Sequence, residues 1–403
     1  MELLIGIDWS QDHHDVRVLN EAGASLLRFQ IPHSPAGFDR FEERIARFNA
    51  PPTHCFVALE TAHNLLVDFL WSRQYQVYVI APSVVHAARG RLTSSGAVND
   101  DQSAFLLADL LRTDRHRFTP WKPDGPLVTQ MRAKLSLIDS LSHSITRYTN
   151  RLHAVLQRYY PQACTLFSNL QTPISLHFII AYPAPDLAHA LSFSQFAQFC
   201  RDHHYPFPHR LPELYVRLRS PALQPDPVIT PVYQEESTFL AQLLLTLLER
   251  KEQTLREVRA LFAQHPDAPI FASLPGAGPL LEPKLLVMFG DHRERFPSPA
   301  AIQALAGTCP VTDQSGKRRR VYFRKACNHD YRNTAQQFAM ESAMHSEWAA
   351  TYLADALARG MSKSHAYRCL ANRWLAIIWH LWQTREPYDE AIHLQQVNQH
   401  RKR

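Results

Sequence analysis

The first 120 residues alternate short apolar runs with amphipathic stretches. Residues 3–7 (LLIGI) read as a buried strand that ends at Asp8. Residues 16–19 and 25–31 read as two more strands, joined by the turn Asn20-Glu21-Ala22-Gly23. A helix opens at Pro35, a residue suited to a first turn, and carries Phe38, Phe41 and Ile45 at helical spacing. Residues 54–59 form an apolar strand that delivers Glu60 at its end. A helix over about 62–73, a strand over 77–80 and a helix over about 100–111 follow. The order is βββαβαβα. Three antiparallel strands followed by alternating helices and parallel strands predict an α/β domain of RNase H-like (RuvC-like) topology.

Beyond this, residues 127–159 keep apolar side chains (Leu127, Met131, Leu135, Ile138, Ile145, Leu152) mostly three and four apart, with arginines on the other faces. Residues 233–264 repeat the pattern. Two such long, coiled-coil-like helices can pair within one chain or between subunits. The proline-rich stretch 183–231 between them predicts an insertion or linker with one or two short helices. From Pro269 onward the chain reads as an all-α domain. Its Pro275-Gly276-Ala277-Gly278-Pro279 turn reads either as a plain interhelical turn or as a helix-hairpin-helix-like element, in which Gly276 and Gly278 would offer backbone N–H groups to a DNA phosphate. The expected division is therefore 1–125, 126–267 and 268–403.

Composition narrows the function. No apolar run is long enough to span a bilayer, and the early acids Glu2 and Asp8 argue against a signal peptide, so a cytoplasmic protein is expected. Six scattered cysteines without a CxxC pair argue against disulfide and zinc frameworks. The 12 glycines in 403 residues are less than half the usual share of about 7%, which disfavours glycine-rich phosphate loops. The net charge of +6 is modest. Its clustering says more: Lys317, Arg318, Arg319, Arg320, Arg324 and Lys325 form one basic run that suits nucleic acid.

Asp8 and Glu60 close strands that are neighbours in an RNase H-like sheet, and Asp100 opens the helix that can approach the same edge. Three carboxylates there would repel one another unless a cation sat between them, and Mg²⁺ takes oxygen ligands completed by phosphate. Taken singly, each acid is a common strand-end or helix-capping residue. The segments GIDWS, ALETA and VNDDQSA resemble the DEDD motif blocks of the insertion-sequence transposases whose recombination is guided by a bridge RNA. In that family the last block reads D-x-x-D-A, so the fourth acid is Ser103 here. The resemblance implies Mg²⁺, or Mn²⁺ in its stead, held by Asp8, Glu60 and Asp100. A serine hydroxyl is a poor substitute for a carboxylate at Mg²⁺, so either the site works with these three acids, with Ser103 or Asp101 at most an added ligand, or Asp101 or Asp109 turns inward, or the chain is impaired.

The later block DQSGKRRR resembles the second domain of the same family, and its matching residue is Ser315. The resemblance implies that Ser315 attacks a phosphodiester and holds the broken end as a phosphoserine, amid a basic stretch that neutralises phosphate charge. It further implies donor and target DNA sites, a structured guide RNA, homodimers or homotetramers, and a site shared between subunits. By helical spacing, Trp374, Trp379 and Trp382 read as core, whereas Tyr322 and Phe323 beside the basic run could equally stack on bases or serve packing. Two alternatives stand beside this: a nucleic-acid-binding homologue impaired at the fourth acid, and an actin-like ATP-dependent kinase, whose phosphate loop GIDWS also resembles.

Overall fold

The structure is a computed structural model that describes residues 1–62, 64–91, 100–221, 226–316 and 318–401, with backbone alone for residues 91, 100, 101 and 396–401. Contacts divide it into two units, Met1–Asp124 with Asp291–Asn328, and Gly125–Gly290 with His329–Arg403.

The first unit is built on a five-stranded sheet ordered β3-β2-β1-β4-β5. Its strands are β1 (Leu3–Trp9), β2 (His13–Leu19), β3 (Ser25–Pro32), β4 (Cys55–Leu59) and β5 (Gln76–Val79). The first three are antiparallel, and β4 and β5 run parallel to β1. Alternation along the strands gives two buried faces. One carries Ile5, Ile7, Val16 and Val57 against α1 (Pro35–Ala46) and α2 (Leu65–Ser72). The other carries Leu4, Leu19 and Ala58 against α3 (Pro82–Ala88) and α4 (Asp100–Asp114). The order matches the predicted βββαβαβα except for α3, whose seven residues are too few for a periodic signal. Strand β1 also runs one residue past Asp8, to Trp9.

The second unit is helical. Its spine is α5 (Pro126–Tyr159), and α6 (Pro161–Leu166), α7 (Pro173–Ala181), α8 (Pro185–His189), α9 (Phe193–Asp202) and α10 (Leu211–Leu218) follow. The second long helix, α11 (Thr230–Ala263), pairs with α5 within the chain through Lys134–Glu257 at 2.5 Å, Arg151–Glu236 at 2.6 Å and Tyr159 Oη to Ser237 Oγ at 2.5 Å. The proline-rich stretch forms three short helices, α8, α9 and α10, rather than an extended connection. Pro185, Pro212 and Pro231 sit in the first turns of α8, α10 and α11, where a missing N–H costs nothing. Phe196, Cys200, Leu214 and Leu218 from the same stretch are buried in one core with the long helices.

Helices α12 (Ala268–Ala272) and α13 (Gly278–Phe289) flank the glycine turn. The chain then returns to the first unit as α14 (Pro299–Leu305) and the antiparallel hairpin β6 (Val311–Ser315) and β7 (Arg318–Tyr322). The return is anchored where Asp124 accepts from Arg295 at 2.9 Å and from the Asp291 N–H at 3.1 Å, and where Lys122 meets Glu294 at 2.9 Å. The hairpin departs from the all-helical reading of the C-terminal region. Helices α15 (His329–His345), α16 (Glu347–Ala358), α17 (Lys363–Thr384) and α18 (Glu390–Arg401) complete the second unit. Trp374 and Trp382 are core as expected, while Trp379 is half-buried. Among the described residues no helix is long and apolar enough to cross a membrane.

Candidate carboxylate edge and serine hairpin

Strands β1 and β4 pair in parallel register from Leu3–Cys55 to Gly6–Ala58. Carried two residues further, this offset sets Asp8 level with Glu60, on strands about 4.8 Å apart. Alternation puts Asp8 on the same face as Gly6, and Gly6 lies beneath α4, since a Cβ there would stand 1.9 Å from the Ala104 carbonyl oxygen. Both acids are half-buried.

The direction of α4 follows from its far end. Arg115, just past the helix, binds Glu2 at 2.7 Å before the start of β1, and its guanidinium lies 3.9 Å from the centre of the Phe56 ring. With Arg115 beside Glu2 and Ala104 and Ala108 over Gly6, α4 runs antiparallel to β1. Its first turn therefore lies toward Asp8. Asp100 is one turn before Ala104 on the same stripe of the helix, so its backbone position belongs to that edge. The side chains of Asp100 and Asp101 lie outside the described residues. Ser103, in the same turn, is buried. Asp109 does not turn inward to replace a fourth acid, because Arg112 Nε and Nη2 bind it at 2.8 and 2.6 Å, beyond Ala108 from this turn.

Sequence reasoning missed Asp15. It is the register partner of Asp8 across β1 and β2, on the same face, and its Oδ2 accepts from Gln30 Nε2 at 3.3 Å. The strand-end rule that picked out Asp8 and Glu60 passes over it because Asp15 lies inside β2. Among the described residues no three His, Cys, Asp or Glu side chains form a group able to hold a metal ion. The donor set fits a hard divalent cation in chemistry, with two carboxylates level on adjacent strands and a third acid, Asp100, at the facing helix start.

Ser315 ends β6 and is the register partner of Arg318, with Gly316 in the turn that follows Ser315. Gly316 takes φ +56°, the left-handed region that tight hairpins demand. Lys317 lies outside the described residues. All ten strand residues of the hairpin are exposed. Alternation places Ser315, Asp313, Arg318, Arg320 and Tyr322 on one face and Gln314, Arg319, Thr312 and Val321 on the other. Arg320 Nη1 donates to Tyr322 Oη at 3.4 Å. Arg324 is half-buried and donates Nε to the Cys309 carbonyl at 3.4 Å, and Lys325 is exposed. Tyr322 and Phe323 are both exposed.

The glycine turn divides into two cases. Gly276, at φ +75°, backs onto α15, where a Cβ would stand 2.6 Å from His345 Cδ2, so close packing alone requires glycine there. Gly278, at φ +61°, has open space on its Cβ side.

Residues 5–161 match the family model described as Transposase, of the IS110 DEDD type, and residues 268–354 match that of the Transposase IS116/IS110/IS902 family. The chain belongs to this family of insertion-sequence transposases. The IS117 mini-circle protein of Streptomyces coelicolor is 27% identical over 397 residues, 97% of this chain and 96% of that one. The insertion element IS900 42 kDa protein of Mycobacterium paratuberculosis is 24% identical over 403 residues, covering 96% and 97% of the two chains. The insertion element IS116 44.8 kDa protein of Streptomyces clavuligerus is 22% identical over 391 residues, 96% of each. A transposase recombines DNA enzymatically, and a DEDD-type domain implies a divalent metal. The first match takes in β1, β4 and α4, and the second takes in the hairpin of Ser315.

Proposed function

We propose that this transposase, through an RNase H-like N-terminal domain and a C-terminal serine domain, cuts and rejoins DNA with Asp8, Glu60 and Asp100 as metal-binding carboxylates and Ser315 as nucleophile. The observation that carries the reading is the alignment of Asp8 with Glu60 on adjacent parallel strands, with α4 aimed so that Asp100 starts at their end. Mg²⁺ bound there would neutralise charge on the scissile phosphate. The chain's own residues do the rest. The Ser315 Oγ–P bond forms as the bond from phosphorus to a deoxyribose oxygen breaks. The serine proton is lost, and the leaving oxygen takes one up. The phosphoserine ester keeps the bond energy for rejoining, so the reverse displacement by a second DNA end needs no ATP. Arg318 and Arg320, on the serine's face of the hairpin, suit the developing negative charge.

The bridge-RNA resemblance extends the reading to a guide RNA that selects donor and target sites, and to dimers or tetramers whose site combines the carboxylates of one subunit with the serine of another. Ser103 favours one alternative, a binding protein that has lost its fourth acid. The test is a detergent-resistant protein–DNA adduct. Purified protein is mixed with Mg²⁺, the RNA encoded beside its gene and both DNA sites. An adduct that disappears in Ser315→Ala and Glu60→Gln is the expected result. A protein that binds RNA and DNA yet forms no adduct would favour the alternative, and an adduct persisting in Ser315→Ala would remove the serine from its role.

A further inference from the structure

Strand β1 ends one residue past Asp8, at Trp9, which is 41% exposed. The register partner of Trp9 is His14, and their rings stack with centres 6.2 Å apart and planes 22° apart. The turn between them is closed by the Ser10 N–H, which donates to the His13 carbonyl at 3.1 Å. The stack continues inward. His14 is fully buried and its ring lies 6.5 Å from Phe38 of α1 at 21°, and Phe38 lies 4.9 Å from Phe69 of α2 at 25°. Four rings thus form one column, three of them held inside the first unit and the last open to solvent. Among the described residues no second ring stacks on Trp9.

A base laid on this indole would extend the column. The side chain is already ordered by His14, so little rotamer freedom is lost on binding. The surroundings suit the uncharged face of a base better than a phosphate. The turn beside Trp9 is Ser10-Gln11-Asp12, which carries no cation. Leu65, 66% exposed, opens α2 just after β4 stops, at the same end of the sheet. Asp8 and Trp9 are consecutive, so Asp8 leaves the strand toward α4 and Trp9 toward α1 and α2. Both stand at the last residues of β1, where nucleic acid meeting the sheet end-on reaches both sides. A strand that crosses this end can set a phosphate on the α4 side and a base on the other. Stacking needs a base with one face uncovered, as where a duplex has opened to pair with a guide. Every base has such a face, so the contact leaves the choice of site to pairing. We infer that Trp9 stacks on an unpaired base of the DNA strand being cut, within about two nucleotides of the scissile phosphate, and so fixes that strand on the carboxylate edge. The inference rests on Asp8 and Glu60 marking the cut.

Aminopurine, a fluorescent base analogue that dims on stacking, reports the contact without any chemistry. Full-length Ser315→Ala protein is mixed with the RNA encoded beside its gene and both DNA sites. Each DNA carries one aminopurine, moved position by position through the cut mapped with the wild type. Trp9→Leu and Trp9→Phe are made in the same background. Leucine keeps His14 covered without a ring, and melting temperatures confirm that both variants fold. The expected result is dimming confined to one position near the cut, lost in Trp9→Leu and kept in Trp9→Phe. Binding of the DNA should weaken about tenfold in Trp9→Leu. Dimming that persists in a folded Trp9→Leu protein, that is equal at every position, or that is absent overturns the inference. Dimming seen only with the analogue in the RNA overturns it as well, by assigning the indole to the guide. Joining by Glu60→Gln in the serine-bearing chain separates this reading from the carboxylate one. Normal joining with Trp9-dependent dimming intact refutes the metal edge and spares the stack, whereas no joining with dimming unchanged in Trp9→Leu refutes the stack alone.

Discussion

Gly6 and Ala104 touch backbone to backbone: a Cβ on Gly6 would stand 1.9 Å from the Ala104 carbonyl oxygen and 2.6 Å from the Ala108 nitrogen. No side chain can yield there, since both obstacles are main chain. Gly6→Ala must push α4 off β1, at a cost in the upper range of overpacking, about 3 kcal/mol. Thermal unfolding of this variant should begin well below wild type, and DNA joining should fall with it because the first turn of α4 moves. Gly90→Ala, where nothing lies within 4 Å of the added methyl, is the control and should leave the melting temperature within a degree or two.

A metal held by the carboxylate edge would stabilise the folded chain by mass action, by roughly 2.7 kcal/mol at a hundredfold excess over its Kd. Added Mg²⁺ should therefore raise the melting temperature of the wild type. Glu60→Gln and Asp8→Asn should abolish that increment while folding normally, and in metal-free buffer should melt no lower than wild type, since each removes one of two level carboxylates. A metal-dependent rise that survives both substitutions would place the ion elsewhere.

The sheet was legible because each strand is a short apolar run bounded by turn residues, and because the acids sit where two strands stop. Asp15 was not, since its relation to Asp8 depends on the β1–β2 register rather than on a strand end. The two long helices announced themselves by periodicity, but their pairing within the chain rests on long-range contacts such as Lys134–Glu257. Prolines misled. Read as chain breakers they implied an insertion or linker with one or two short helices over 183–231, whereas Pro185 and Pro212, at first-turn positions, start two of the three short helices that pack into a core there. The Ser315 hairpin was hidden for a different reason. Its strands bury nothing, so they carry no alternation of apolar and polar residues, and only Ser-Gly-Lys hinted at a turn.

His14 gives the fold a pH dependence. It is fully buried, its Nε2 lies 2.9 Å from His33 Nδ1, and among the described residues its Nδ1 has no hydrogen-bond partner. Burial, then the nearby His33 and His13, hold its pKa down to about 4, against about 6.5 when unfolded. A depressed imidazole pKa means that the unfolded chain binds the proton more readily. Stability from this residue is thus complete above about pH 6.5 and is lost as pH falls toward 4, by up to about 3 kcal/mol. His14→Phe, which keeps a ring between Trp9 and Phe38, should flatten the melting-temperature profile between pH 7 and 4.5. An unchanged slope would assign the acid sensitivity to other groups.

Ser103 is where the chain departs from the four-acid pattern, and its burial makes the departure testable. A carboxylate introduced at a 7% exposed position loses hydration unless a cation or donor receives it. Ser103→Asp should accordingly lower the melting temperature in metal-free buffer and recover part of the loss when Mg²⁺ is added. DNA joining should stay near the wild-type rate, because the proposed site works with Asp8, Glu60 and Asp100. A many-fold gain in joining would mean that the natural chain is impaired at this position and that three acids do not suffice. Equal destabilisation with and without Mg²⁺ would put Ser103 outside the reach of the ion, making the fourth position a packing site in this chain.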